Sequence, residues 1–181
     1  MGLLNYRKAV SKYQDNPSVM ETLRRLRDFD EFHCLRDSSL MVGKEAGALL
    51  PRPNPAYIGW MSVCEGGLLF DTTLLCVQAE DPDLGVSFST LAEYNTPEGY
   101  QEFGLPDGYF IIGIRSYGDP ICLSGQDDAV YLWDCEESAF TTIWDTFFDF
   151  LGDEVDSAIE LIANGDLEPV PLKLQDSEDT P

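Results

Sequence analysis

The chain has 181 residues, 44% of them hydrophobic and 12% aromatic, enough for one domain whose folding hides roughly 70% of the unfolded surface. Its 33 Asp and Glu against 11 Lys and Arg leave a net charge of −22, which excludes DNA, RNA and anionic membranes as partners, since those are held by Lys and Arg at phosphate. No stretch reaches the roughly 18 continuous apolar residues of a membrane span. The opening, apolar and then basic, reverses a secretory signal, so the expected compartment is the cytoplasm.

In chain order, Asn16-Pro17-Ser18 followed by Glu21 predicts a helix start, with Ser18 and Glu21 at capping-box spacing. Val19, Leu23, Leu26 and Phe29 continue it as an apolar stripe, with Arg24, Arg25 and Arg27 on or near the opposite face. His33 and Cys34 fall on its tail. A second helix is expected from Asn54-Pro55 through Tyr57, Ile58, Met61 and Val63, ended by Gly66-Gly67. Residues 68–70 and 74–77 read as extended, and 79–103 as loop plus short helix. Asp81, Asp83 and Gly85 faintly echo a calcium loop there. Ala92 at its twelfth position removes the required ligand, and that reading is rejected.

Residues 105–134 read LPDGYFIIGIRSYGDPICLSGQDDAVYLWD, three apolar runs separated by two turns, and predict an antiparallel meander. The first run is apolar on both faces, as a central strand is. Thr142 with Asp145 predicts a helix cap, followed by a broad apolar face from Ile143, Trp144, Phe147, Phe148, Phe150 and Leu151. Gly152 is expected to break that helix, and a last one over 154–163 to close at Gly165. Residues 167–174 read as extended, covering an edge or running over the surface, and QDSEDTP as a disordered acidic tail.

Chemistry is sparse. Cys34, Cys64, Cys76, Cys122 and Cys135 form no C-x-x-C pair and read as buried thiols rather than a zinc ribbon or disulfide frame. The single His33 lies beside Cys34, where helical neighbours diverge and make no dyad. No hydrolase, metalloprotease or phosphate-loop signature is present, and among 33 acids a pair of carboxylates carries no information. No catalytic, cofactor-binding or metal-ligating residue is assigned.

The charge itself is uneven. Residues 1–52 hold nine of the basic and seven of the acidic side chains, and the remaining 129 residues hold two and 26. An acidic surface of this kind attracts a cationic partner at close range, although charge alone is more simply read as keeping a protein in solution. The partner-binding residues expected are Asp119, Asp127 and Asp128 at the meander's turns, with Trp133, Asp134, Glu136 and Glu137 at its end. Turn chemistry alone would also favour Asp127 and Asp128, and aromatics such as Trp133 more often fill cores than anchor interfaces.

An ordered set of motifs runs through the chain. E-x-x-x-L-L-P (Glu45, Leu49, Leu50, Pro51) is followed by Y-I-x-W-M-x-x-x-x-G-G (Tyr57, Ile58, Trp60, Met61, Gly66, Gly67). Then come LPDGYFIIG (105–113), GDPIC (118–122), AVYLWD (129–134) and IWDTFFDFL (143–151). Over roughly residues 40–165 the chain resembles the SUKH superfamily, the Smi/Knr-like proteins. The resemblance implies a single α+β domain, a mainly antiparallel sheet flanked by N-terminal and C-terminal helices, and a non-enzymatic protein-binding role. Many bacterial members resemble immunity proteins that neutralise a cognate secreted toxin, often a nuclease; eukaryotic members act as adaptors or regulators of cell-wall synthesis. The expected layout is a helical extension over 1–38, the Smi/Knr-like domain over 39–168 and an acidic tail over 169–181. The expected partner is a basic toxin domain, and the alternative is an intracellular adaptor that uses the N-terminal helices.

Overall fold

The computed structural model describes residues 4–81 and 86–170, and its first two helices are capped by asparagines. Helices α1 (Tyr6–Tyr13) and α2 (Pro17–Asp28) begin at Asn5 and Asn16, whose side-chain oxygens accept from the Lys8 and Val19 amides. The α2 cap is therefore Asn16, not the Ser18–Glu21 box. Pro17 takes the first helical position, where its missing N–H costs nothing, and Glu21 pairs with Arg24 at 2.6 Å instead. Val19, Leu23 and Leu26 are buried, while Phe29 ends the helix half-buried.

A short 3₁₀ turn (Asp30–Phe32) leads into β1 (His33–Asp37), so His33 opens a strand rather than ending a helix. It is buried; Nε2 donates to the Leu26 carbonyl at 3.0 Å and stands 2.9 Å from the Tyr6 hydroxyl. Burial lowers its pKa below the ordinary 6.5. The ring stays neutral in the fold while the unfolded chain takes up a proton, so the stability it contributes is present above pH 6.5 and lost below it. The expected loss is up to about 1.4 kcal/mol per pH unit. It is read as a fall in urea midpoint between about pH 6.5 and about pH 5.5 that His33→Gln flattens.

Helices α3 (Leu40–Leu49) and α4 (Pro55–Met61) follow, the latter capped by Asn54 as expected. It stops at Ser62, however, and the chain passes directly into β2 (Cys64–Leu69). Gly66-Gly67 thus lie inside a strand and do not end a helix. Their absence of side chains has a packing reason: a Cβ on Gly67 would stand 2.2 Å from the Cys34 carbonyl oxygen, and one on Gly66 2.8 Å from those of Leu74 and Leu75. After β3 (Thr72–Leu74) come a two-stranded ribbon, β4 (Glu80–Asp81) with β5 (Val86–Ser87), and helices α5 (Leu91–Tyr94) and α6 (Pro97–Phe103). Asp83 and Gly85 of the rejected calcium loop lie outside the described residues.

The expected meander is present as β6 (Tyr109–Arg115), β7 (Pro120–Ser124) and β8 (Val130–Asp134), and it gains a fourth strand, β9 (Ala139–Trp144). Seven strands form one sheet in the order β1-β2-β3-β6-β7-β8-β9, with antiparallel pairing throughout. β6 is the middle strand, which accounts for its two apolar faces. Thr142 belongs to β9, opposite Leu132, and does not cap a helix. The cap is Thr146, whose hydroxyl accepts from the Asp149 amide; the same T-x-x-D spacing recurs four residues on. From it α7 (Phe147–Asn164) runs unbroken through Gly152, which lies against α2, 3.8 Å from Thr22 Oγ1 for an added Cβ. Gly165 closes the helix in the left-handed conformation, as expected.

The architecture is α+β, with the core between the sheet and α2, α4 and α7. Phe147 meets Tyr57 edge-on at 5.2 Å and lies 5.7 Å from Phe150, all three buried; edge-to-face rings add to the energy of area burial. Beyond α7, the Val170 amide donates to the Glu31 carbonyl at 2.9 Å, laying the start of the expected extended run beside the α2–β1 connection. The rest of that run and the acidic tail fall outside the described residues.

Candidate functional site

A meander turns at alternating ends, and that sorts the acids in its turns. β6 joins β7 through 116–119 and β8 joins β9 through 135–138, both at one end of the sheet; β7 joins β8 through 125–129 at the other. A five-residue strand spans about 16 Å. The seven residues singled out from sequence therefore divide into two groups. Asp119, Trp133, Asp134, Glu136 and Glu137 stand at one end, Asp127 and Asp128 at the other.

At the Asp127–Asp128 end the carboxylates are engaged within the fold. Asp127 accepts from the Ala129 amide at 3.1 Å and the Tyr131 hydroxyl at 2.9 Å. Asp128 pairs with Arg52 at 3.2 Å, and its carbonyl accepts from the Asn54 side-chain amide at 3.2 Å. Asn54 also caps α4, so this turn fastens the β7–β8 hairpin to the start of that helix.

The other end is different. Asp119 accepts from the Cys135 amide at 3.1 Å, which ties the β6–β7 turn to the β8–β9 turn. Asp134 accepts from the Glu136 and Glu137 amides at 2.9 and 2.8 Å. These bonds fix the half-buried Asp119 and Asp134 in place while Glu136 and Glu137 remain exposed. Helix α6 adds Glu102. The result is a cleft of about 530 Å³ lined by Glu102, Phe103, Tyr117, Asp119, Asp134 and Glu136. Among the described residues, its lining carries four carboxylates and no cation. Tyr117 exposes 65% of its surface at the rim.

Trp133 supports this cleft from beneath. It is 6% exposed, its indole N–H donates to the Phe103 carbonyl at 2.9 Å, and its ring meets Phe140 edge-on at 4.9 Å. It therefore holds α6, and with it Glu102, against the meander. Burial, with Asp119 beside it, holds the Cys135 thiol up at about 11, so it stays protonated near neutral pH. Sequence reasoning missed Glu102 and Tyr117. Tyr117 had a faint signal, a large aromatic inside the S-Y-G-D-P turn; Glu102 had none, because α6 meets the turns only through the fold.

Chemically, carboxylates oriented by turn amides are preorganised acceptors for ammonium and guanidinium groups. Elsewhere, His33 and Cys34 are successive residues of β1 and point to opposite faces of the sheet. Among the described residues, no group of three or more His, Cys, Asp or Glu is placed to hold a metal ion, and no helix is long and apolar enough to cross a membrane.

No curated protein matches the chain. A family model, that of the SMI1 / KNR4 family (SUKH-1), matches residues 44–153, more than half of the chain. The match runs from α3 into α7 and takes in the whole meander, the acidic cleft and every motif quoted above. On that match the chain belongs to the SMI1 / KNR4 family (SUKH-1).

Proposed function

We propose that this protein is a non-catalytic binding module that neutralises a basic protein, a secreted nuclease-type toxin domain, by seating the toxin's cationic surface on the acidic end of its meander. The observation that carries this reading is the convergence of Glu102, Asp119, Asp134 and Glu136 around one cleft beside the exposed ring of Tyr117. Membership of a family associated with immunity and adaptor roles supports it at the coarser level of protein binding. A nuclease has to carry a basic phosphate-binding surface. A rigid acidic body covers such a surface without chemistry, steering the approach by charge and excluding substrate by bulk. Asp127 and Asp128, already tied to Tyr131 and Arg52, play a smaller part in this scheme.

On this reading a secreted protein with a basic C-terminal toxin domain is expected to be encoded beside this chain's gene, and the test uses that domain. Co-expression is expected to restore growth, and the complex is expected to weaken as salt rises from about 50 to about 500 mM. Asp119→Asn, Asp134→Asn and Glu136→Gln combined keep the amide-accepting oxygens and remove the charge. That variant is expected to lose about tenfold or more in affinity, chiefly in association rate, while Asp127→Asn with Asp128→Asn changes little. A complex that tightens with salt, or binds the triple variant unchanged, overturns the reading.

A further inference from the structure

A second concave surface, of opposite character to the acidic cleft, lies between α1 and α2. It is a groove of about 800 Å³ lined by the apolar Val10, Met20 and Leu23 and by Arg7, Arg24 and Arg27. Helical spacing brings these side chains together. Arg7 and Val10, three residues apart, share one face of α1, and Met20, Arg24 and Arg27 share one face of α2. Each wall therefore combines apolar area with cations. Val10 exposes 38% of its surface, an aliphatic side chain turned to water.

The local charge runs against that of the whole protein. Residues 4–28 carry six Lys and Arg against three Asp and Glu, in a chain of net charge −22. Glu21 is the single acid among the described residues of the lining. Arg24 meets it at 2.6 Å and Asp28 at 3.5 Å, and Arg27 meets Asp28 at 3.1 Å. Exposed pairs of this kind add little to stability, so they exchange readily for other carboxylates. Arg7 is exposed and has no ion pair among the described residues.

An occupant has to bring apolar area and carboxylates together. Nucleic acid brings charge without an apolar face, and its further phosphates would meet the acidic remainder of the surface. A second copy would set −22 against −22. A short acidic segment meets the groove alone, and screening over about 8 Å leaves the guanidiniums at contact to set the sign. An amphipathic helix with Asp and Glu beside its apolar stripe meets both demands. Three turns of such a helix, about 16 Å, match the length of α2, about 18 Å for its 12 residues.

We propose that the α1–α2 groove receives an acidic amphipathic helix of a partner protein. Its apolar stripe lies on Val10, Met20 and Leu23, and its carboxylates pair with Arg7, Arg24 and Arg27. The protein thus carries two binding surfaces of opposite sign, one for a cationic partner and one for an anionic segment. This inference is independent of the reading given to the acidic cleft.

The experiment uses the full-length chain and a fluorescein-labelled synthetic helix of about 14 residues, with leucines at i, i+3, i+4 and i+7 and glutamates beside them. Its anisotropy is expected to rise saturably, and less so as salt goes from about 50 to about 500 mM. Replacing Arg7, Arg24 and Arg27 together by alanine is expected to weaken binding about tenfold or more. Val10→Ser with Met20→Ser is expected to weaken it several-fold at an unchanged urea midpoint. The combined Asp119→Asn, Asp134→Asn and Glu136→Gln variant is expected to bind the helix no more weakly than the wild type does. Absence of saturable binding overturns the proposal, as does equal binding by the wild type and the two groove variants. Equally tight binding of a scrambled peptide or a single-stranded oligonucleotide reduces the groove to a charge patch and overturns it too. So does a wild type that sediments as a dimer which Val10→Ser with Met20→Ser dissociates.

Discussion

Replacing Arg115 with methionine is expected to cost about 3–5 kcal/mol of unfolding stability, and replacing Glu154 with leucine in the same chain is expected to return much of that loss. Arg115 ends the central strand β6. Glu154 reaches down from α7, 3% exposed, and its carboxylate forms an ion pair with Arg115 at 2.5 Å and accepts from the same guanidinium at 2.8 Å and from the Thr72 hydroxyl at 2.7 Å. This is the polar link between the longest helix and the middle of the sheet. Burial pushes the Glu154 carboxyl above the usual range, and Arg115 and Thr72 pull it back. Without the guanidinium, a buried carboxylate keeps one hydroxyl as its partner, and the desolvation is no longer offset. Leucine in its place packs against the core and needs no partner. Urea unfolding at neutral pH measures both variants. A single variant within about 1 kcal/mol of the wild type would remove Arg115–Glu154 from any structural role of this size.

The second large effect is expected at Gly67. Its φ of +116° lies where side chains are rarely tolerated, and its missing Cβ would meet the Cys34 carbonyl oxygen at 2.2 Å. Gly67 pairs with Leu35 across β1 and β2, so the clash drives the edge strand outward along with its hydrogen bonds. Gly67→Ala is expected to lose about 3 kcal/mol or more. Gly104→Ala serves as the control. It shares a positive φ, +63°, and meets nothing within 4 Å, so only the backbone cost of about 1–2 kcal/mol remains. Thermal unfolding of the pair separates strain from contact, and equal losses would discard the close-approach account of Gly67.

The candidate site was legible by residue type and not by placement. Turn chemistry identifies Asp119, Asp127 and Asp128, and the end of an apolar strand identifies Trp133 and Asp134. The sorting of those acids to opposite ends follows from strand direction. The engagement of Asp128 by Arg52 joins residues that no local pattern connects. Trp133 lies next to Asp134 in sequence, which suggests a partner contact, but its place under Phe103 and Phe140 makes it a support for the cleft, a role that depends on where α6 docks.

The sequence by itself determined the elements whose cause is local. Alternating runs with turn residues between them specify β6, β7 and β8, Asn54-Pro55 starts α4, and Gly165 ends α7, because each signal is complete within a few residues. The tertiary structure alone decided the rest. Gly66-Gly67 resembles a helix stop until β1 packs over it, Gly152 resembles a break until α2 lies against it, and Thr142 resembles a cap until β8 claims it for a strand. The physical reason is the same in each case: the deciding contact is with a segment distant in the chain, and a local preference of about 1 kcal/mol gives way to the burial and hydrogen bonds that contact provides.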